Sequence, residues 1–436
     1  AIRAADRGMS APFLYRAWIL ASMVLAPFAA RSAMRKLLVQ GVTVERSREK
    51  LGHATQPRPS TGPLVWLHAA SVGESLSVLA LITRMGQILP TAQFLITSGT
   101  ATSAKLVAQR LPPRTVHQFA PLDAPRPVKR FLNHWQPDAA IFVESELWPQ
   151  MLRRTHLAGA RMALVNARMS EKTIAFWAEW PRASRYLFDV FTLILTQNDA
   201  MAQNMVRMNA PADRIARGVN LKSMSGPLPV DTSALQEVRT TLADRPIWVA
   251  SSTHEGEESA VLLAHRQLLK RSPDLCLILA PRHPERGDVV EKMIETAGLS
   301  CRRRSRGEAP GGQVYLADTM GELGLWYEVA EIVFLGGSLL PIGGHNPFEV
   351  AQAGAAVLTG NHVAAFAETY ALLETEGAAR IIADGDDLAA RVAVLLTEPD
   401  ELAAMTSAAQ RFVATQDDQL DAIATRLITA LELDRA

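Results

Sequence analysis

Short apolar runs alternate with amphipathic stretches along most of the 436 residues. PLVWLHAAS, from Pro63, reads as a buried parallel strand. It leads through Val72-Gly73-Glu74 into the helical pattern SLSVLALITRMGQIL. FLITSGT then reads as strand and turn, with helical ATSAKLVAQRL behind it. Ala139-Ala140-Ile141-Phe142-Val143 reads as a strand ending at Glu144, and RMALVNARM and LILTQN repeat the theme. This rhythm of strand, loop and helix predicts a doubly wound parallel sheet. It restarts after Gly226-Pro227-Leu228-Pro229, where IWVASST, LCLILAPRHPER, EIVFLGGSLL and AAVLTGN read as strands with helices around them. The α/β chain is therefore expected to form two Rossmann-like domains facing across a cleft, residues 35–225 and 226–436. Ligands of such sheets bind beyond the carboxyl ends of the strands. The polar signatures of this chain gather there.

One run departs from the pattern. APFLYRAWILASMVLAPFAA, from Ala11 to Ala30, has the length needed to cross a bilayer. Its one charge is Arg16, near the front, where a long side chain can snorkel. Arg31, Arg35 and Lys36 follow, then Arg46, Arg48 and Lys50. Basic flanks of this kind favour the cytoplasmic side and anionic lipid surfaces. Residues 11–30 are expected to be a membrane anchor helix, spanning the bilayer or lying in its interface, with a buried core helix as the alternative. The exit Arg-Ser-Ala-Met-Arg suits a signal-peptide cleavage site poorly. Met9 reads as a natural start, with the residues before it a leader.

Composition narrows the rest. Hydrophobic residues make up 48% and charged residues 20%, a globular balance. A net charge of +1 argues against a general nucleic-acid binder. The two cysteines, Cys276 and Cys301, form neither a zinc spacing nor a disulfide framework, which suits a reducing compartment.

Four constellations can carry chemistry. In His68-Ala-Ala-Ser71-Val72-Gly73-Glu74, Gly73 permits a tight turn and Glu74 falls near a helix N-terminus at a strand tip. A half-buried carboxylate there can act as a general base; the same placement also suits one that only favours the helix dipole. Glu144-Ser145-Glu146-Leu147-Trp148-Pro149 sets two carboxylates at a strand end. One is expected to face the cleft and one to anchor the loop, or the pair to cap the helix from Pro149. Pro281-Arg282-His283-Pro284-Glu285-Arg286 offers a forked donor for phosphate, or a solvated loop. Gly336-Gly337-Ser338 with Gly343-Gly344-His345-Asn346-Pro347-Phe348-Glu349 reads as a nucleotide loop. Glycines let the backbone approach, helix N–H groups attract phosphate, and Glu349 can accept from ribose hydroxyls. Three patterns are set aside. His254-Glu255-Gly256-Glu257-Glu258 lacks the second histidine of a zinc motif; Asp384-Gly385-Asp386-Asp387 reads as a turn and helix cap; Arg302-Arg303-Arg304 with Arg306 reads as a solvated loop.

HAASVGES, ESELWP, LVNARMS, GVNLKSM, ASSTHEGEE, APRHPER and GGSLLPIGGHNPFEVAQAG, in that order, resemble the Kdo transferases of lipopolysaccharide synthesis. These transfer 3-deoxy-D-manno-oct-2-ulosonic acid. The resemblance implies a GT-B fold, CMP-Kdo as donor, a lipid A precursor in the membrane as acceptor, and no metal or other cofactor. It implies a bacterial inner membrane location with the catalytic domains on the cytoplasmic side. Carried over by position, Glu74 is the proton acceptor, and Glu144 and Lys222 stabilise the transition state. Pro281, Arg282 and His283, Met320-Gly321-Glu322, and Asn346 through Glu349 match CMP-binding segments. Ser145, Val219 and Phe348 stand where many relatives have Thr, Gly and Leu. The runner-up is another GT-B enzyme, a transferase or epimerase using a UDP-sugar.

Overall fold

The computed structural model describes residues 10–435, apart from 219, 222–227 and 244. The chain divides into two compact units: Ala1–Ser225 with Asp418–Ala436, and Gly226–Asp417.

Unit one holds β1 (Leu64–His68), β2 (Gln93–Ser98), β3 (Thr115–Phe119), β4 (Ala139–Val143), β5 (Arg161–Ala167), β6 (Phe191–Thr196) and β7 (Ile215–Arg217). They lie in the order β3-β2-β1-β4-β5-β6-β7, every pair parallel. Every residue of β1 and β4 is buried, which is why their apolar runs are unbroken rather than alternating. The order reverses between β1 and β4. The connections diverge there and leave a crevice at the carboxyl ends. One layer of core, with Val65, Leu67 and Ile141, is closed by Leu420, Ile423 and Leu427 of the C-terminal helix.

Unit two repeats the plan with β8 (Ile247–Thr253), β9 (Cys276–Pro281), β10 (Cys301–Arg303), β11 (Val314–Leu316), β12 (Ile332–Leu335), β13 (Ala356–Thr359) and β14 (Ala379–Ile381). The order is β10-β11-β9-β8-β12-β13-β14, again all parallel, with its reversal between β8 and β12. The helix Pro399–Ala430 serves both units. Ala408, Ala409 and Phe412 pack in the core of unit two, and its last turns in that of unit one. The amphipathic pattern alone assigns all of 226–436 to the second domain; a continuous helical period does not show which core each turn meets.

The N-terminal helix runs Phe13–Val39, well past Ala30. Arg31, Arg35 and Lys36 thus lie inside it rather than beyond it, since Arg and Lys are good helix formers. Ser22, Ala30 and Leu37, spaced eight and seven residues apart, form its buried seam. Phe13, Leu20, Val24, Leu25 and Phe28 are exposed. The helix is long and apolar enough to cross a membrane by length and composition. It is also tied to unit one: Trp18 Nε1 donates to Asp123 Oδ2 at 2.6 Å.

Candidate active site

Unit one places its chemistry at the tips of β1 and β4. Ser71 caps the helix Val72–Ser77 by accepting from the Glu74 N–H at 3.2 Å. Glu74 reaches back: Oε1 accepts from Ser71 Oγ at 2.7 Å, and Oε2 from the Ala70 N–H at 2.9 Å. This is a capping box moved one residue upstream. Burial raises the pKa of Glu74 above the ordinary carboxylate range; the Ser71 hydrogen bond opposes this, and the nearby charges of Glu146 and Glu144 add to it. The helix-dipole reading explains the bonds to Ser71 and Ala70. It does not explain why negative charges are set beside the group. Each carboxylate oxygen keeps a second lone pair, so the group can take a proton from an incoming hydroxyl.

Glu144 ends β4 in the left-handed region, φ 54°. Its N–H donates to Val165 O at 3.0 Å, and its Oε1 accepts from Asn166 Nδ2 at 3.2 Å. Asn166 Oδ1 in turn accepts from the Leu221 N–H at 3.3 Å. Lys222, the next residue, lies outside the described residues, as does Val219.

Glu146 is the anchoring member of the pair. Its Oε2 lies 3.2 Å from His68 Nε2 and accepts from Trp148 Nε1. His68 Nδ1 lies 2.9 Å from Thr97 Oγ1, which accepts from Trp66 Nε1 at 2.8 Å. Burial pushes the Glu146 pKa up, but the His68 and Trp148 bonds outweigh it and leave the group below the ordinary range. Neither glutamate caps the helix Pro149–Leu157. Asp123 does so, accepting from the Met151 N–H at 2.7 Å and the Gln150 N–H at 3.2 Å. Both members of the Glu144–Glu146 pair are thereby left to the strand tips.

In unit two the predicted segments sit at the tips of β8, β9 and β12. The HEGEE pattern set aside above supplies the central group. Glu257, 1% exposed, accepts from the backbone N–H groups of Gly337 at 2.7 Å and of Ser338 and Leu339 at 2.9 Å. It also accepts from the His254 N–H at 2.9 Å. One carboxylate thus shapes the glycine-rich loop. A side chain at Gly337, φ 68°, would meet the His345 ring at 2.9 Å.

Three histidines link the loops. His254 Nε2 and His345 Nε2 are 3.0 Å apart, and the His254 ring lies 5.7 Å from that of His283. Burial, then the neighbouring His254, lowers the His345 pKa to about 4, and burial lowers that of His254. At neutral pH one ring donates its N–H to the lone pair of the other. Arg282 and Asn346 flank this cluster in sequence. Asn346 Oδ1 accepts from the Phe348 N–H at 3.2 Å at the start of the five-residue helix Phe348–Gln352. Phe348 is buried in the core. Pro347 is that helix's N-cap. Met320 is exposed, and Gly321 turns the chain at φ 86°. Glu322 is held elsewhere: Arg304 Nη2 donates to it at 2.7 Å, and Thr319 Oγ1 bonds it as well. Arg303 and Arg304 of the arginine run are therefore drawn in, while Arg302 and Arg306 stay exposed as expected. Arg303 pairs with Asp318 at 2.6 Å and Asp288 at 2.5 Å, and Arg306 with Glu291 at 2.6 Å. Asp384 is the expected cap, accepting from Asp386 and Asp387 N–H groups. Among the described residues no group of His, Cys, Asp and Glu is arranged to hold a metal ion.

Two parallel-sheet Rossmann-like units, one with carboxylates at its switch point and one with a glycine-rich loop there, are those of a GT-B glycosyltransferase. A family model described as 3-deoxy-D-manno-octulosonic-acid transferase (kdotransferase) matches residues 45–225. The chain is 33% identical over 353 residues to the 3-deoxy-D-manno-octulosonic acid transferase of Haemophilus influenzae, covering 80% of this chain and 82% of that protein. It is 33% identical over 366 residues to a probable mitochondrial enzyme of the same name from Arabidopsis thaliana, 81% of each. The chain belongs to the Kdo transferase family. A glycosyltransferase structure from Rickettsia africae shares the fold, with TM-score 0.54 and 12% identity over 85% of this chain and 98% of that one.

Proposed function

We propose that this protein transfers Kdo from CMP-Kdo to a hydroxyl of a lipid A precursor, with inversion and without a metal. The observation that carries the reading is Glu74, a half-buried carboxyl of raised pKa beside Glu144 and Glu146 in a chain of this family. The relatives' shared name supports Kdo as the transferred sugar. Glu74 takes the acceptor proton as the hydroxyl oxygen bonds to the anomeric carbon. The bond from that carbon to the CMP phosphate oxygen breaks, and CMP leaves with the electron pair. Attack opposite the leaving group inverts the centre through an oxocarbenium-like transition state. Glu144 and Lys222 stabilise that charge distribution. Arg282 and the loop shaped by Glu257 receive the anionic CMP, with Pro281, His283, Met320, Gly321, Asn346, Pro347 and Glu349 around it; Glu322, paired with Arg304, and Phe348, buried in the core, support those segments from behind.

The exposed apolar face of the helix Phe13–Val39 supports attachment to a membrane; we take this to be the inner membrane, with both units on the cytoplasmic side. Attachment to an anionic lipid surface keeps the enzyme near a substrate that stays in the bilayer. The test supplies a lipid A precursor with CMP-Kdo generated in place and weighs the products by mass spectrometry. Product carrying added Kdo, formed equally with a chelator present, is expected. Turnover with a UDP-sugar and none with CMP-Kdo would overturn the reading.

A further inference from the structure

Leu147, Trp148 and Pro149 leave the Glu144–Glu146 loop and wall a cavity of about 270 Å³. Leu14 and Trp18 of the N-terminal helix form a second wall, and Phe176 of the helix Glu171–Glu179 a third. Three indoles line it, those of Trp18, Trp148 and Trp177; the Trp18 N–H is engaged by Asp123 and the Trp148 N–H by Glu146. Those two rings therefore offer an occupant mainly aromatic carbon. An adjoining cavity of about 1240 Å³ shares Leu14 with this slot and is lined by Arg16, Arg182 and Arg185. Arg185 is paired with Asp189 at 2.9 Å. Arg16 and Arg182 have no side-chain partner among the described residues.

A largely apolar, aromatic slot beside unpaired guanidinium groups matches an amphiphile with an alkyl chain and an anionic head. Two features select the acceptor as that amphiphile. The slot wall is continuous with the carboxylate loop, since Trp148 bonds Glu146 directly. The other wall is the helix whose exposed residues Leu20, Val24, Leu25 and Phe28 extend the apolar surface. We propose that this slot binds one acyl chain of the lipid acceptor, with an acceptor phosphate at Arg16 and Arg182. The inference rests on the lipid-acceptor reading above and adds a subsite to it.

The test uses the full chain in detergent micelles of fixed composition. Leu14→Trp fills the mouth of the slot, and Arg16→Gln with Arg182→Gln removes the charges. Each is expected to raise KM for the acylated acceptor at least tenfold, with kcat and CMP affinity within twofold of wild type. Among shortened acceptors, kcat/KM is expected to fall about fourfold per methylene lost from the bound chain. A loss confined to kcat, a matching loss of CMP affinity, or an unchanged KM in every variant would overturn the proposal. Binding is read separately, by quenching of tryptophan fluorescence with a phospholipid brominated on its acyl chain. The unlabelled acceptor should relieve that quenching in the wild type and not in Leu14→Trp. Quenching that the acceptor does not relieve would mean bilayer contact alone and would also overturn it. If the wild type transfers to no lipid acceptor, the functional reading fails, and the displacement result still decides the slot.

Discussion

Asn166 donates its side-chain amide to Glu144 Oε1 at 3.2 Å, and the two residues sit at neighbouring strand tips with left-handed backbones, φ 53° and 54°. Such a backbone costs a residue with a Cβ roughly 1–2 kcal/mol, less for Asn. Here the strain turns two polar side chains toward each other beyond the sheet. Asn166→Gly relieves the backbone but loses the bonds to Glu144 and Leu221; Asn166→Ala loses both and keeps the strain. Both variants are expected to slow transfer at least tenfold at saturating substrate. Urea midpoints should place the alanine variant below the glycine variant by about 1 kcal/mol. Wild-type kcat in either variant would remove Asn166 from the site.

Glu74 must be ionised to accept a proton. Its raised pKa therefore puts the acid limb of the kcat/KM profile above the ordinary carboxylate value of about 4.3. Glu74→Gln should lower kcat by about 10²–10⁴ while leaving CMP binding, read by calorimetry, unchanged. The neighbours then move the limb in opposite directions. Ser71→Ala removes a hydrogen bond that favours the ionised form, so the limb shifts to higher pH. Glu144→Gln removes a nearby negative charge, so the limb of its residual activity shifts lower. A limb that stays put in both would exclude Glu74 as the base.

Much of this site is legible in the sequence because strand tips announce themselves. An apolar run that stops at a polar residue gave Glu74, Glu144 and the glycine-rich loop, and Asp384 reads as a cap from its spacing alone. What escapes is any side chain whose partners lie far along the chain. Glu257 looks like part of a broken zinc motif, but three of its four partners are 80 to 82 residues later. Asp123 caps a helix that begins at Pro149, a contact set by tertiary packing. The arginines at 303, 304 and 306 read as solvated because their acids are spread from Asp288 to Glu322. The membrane-length run reads as ending at Ala30 because hydropathy stops there, whereas helix propensity does not.

Glu257 is the residue whose loss should damage unit two most. Its carboxylate satisfies four backbone N–H groups in a buried setting. Glu257→Gln supplies one acceptor oxygen and turns an NH₂ toward N–H groups. Each oxygen serves two of those donors, so at about 1–3 kcal/mol for each orphaned donor the variant should lose roughly 2–6 kcal/mol. Amide exchange should rise first at Gly337 through Leu339, and CMP affinity should fall with it. Wild-type protection of those amides would show that the loop holds its shape without the carboxylate.

Two buried histidines away from the site make each unit sensitive to acid. His117 is buried, with Arg46 Nη2 2.8 Å from its Nδ1 and Ser98 Oγ 2.9 Å from its Nε2. Burial, then Arg46, lowers its pKa to about 3. His265 is fully buried between Trp248 Nε1 at 3.1 Å and Gln313 O at 2.9 Å, and burial lowers its pKa to about 4. Above an unfolded value of about 6.5 neither state binds the extra proton, so stability is flat. As pH falls below that, the unfolded chain takes up protons that the native chain refuses, and stability drops. The loss continues to about pH 4 for His265 and about pH 3 for His117. At pH 5 each should have cost its own unit about 2 kcal/mol. His265→Phe removes the titration in unit two but orphans the Trp248 N–H, so it should be less stable at pH 8 by about 1–3 kcal/mol. Its profile should then run flatter toward acid and approach that of the wild type near pH 5. Denaturation followed by exchange of the β8 amides reads unit two separately. Parallel profiles for the two proteins would show that His265 titrates as it does in the unfolded chain.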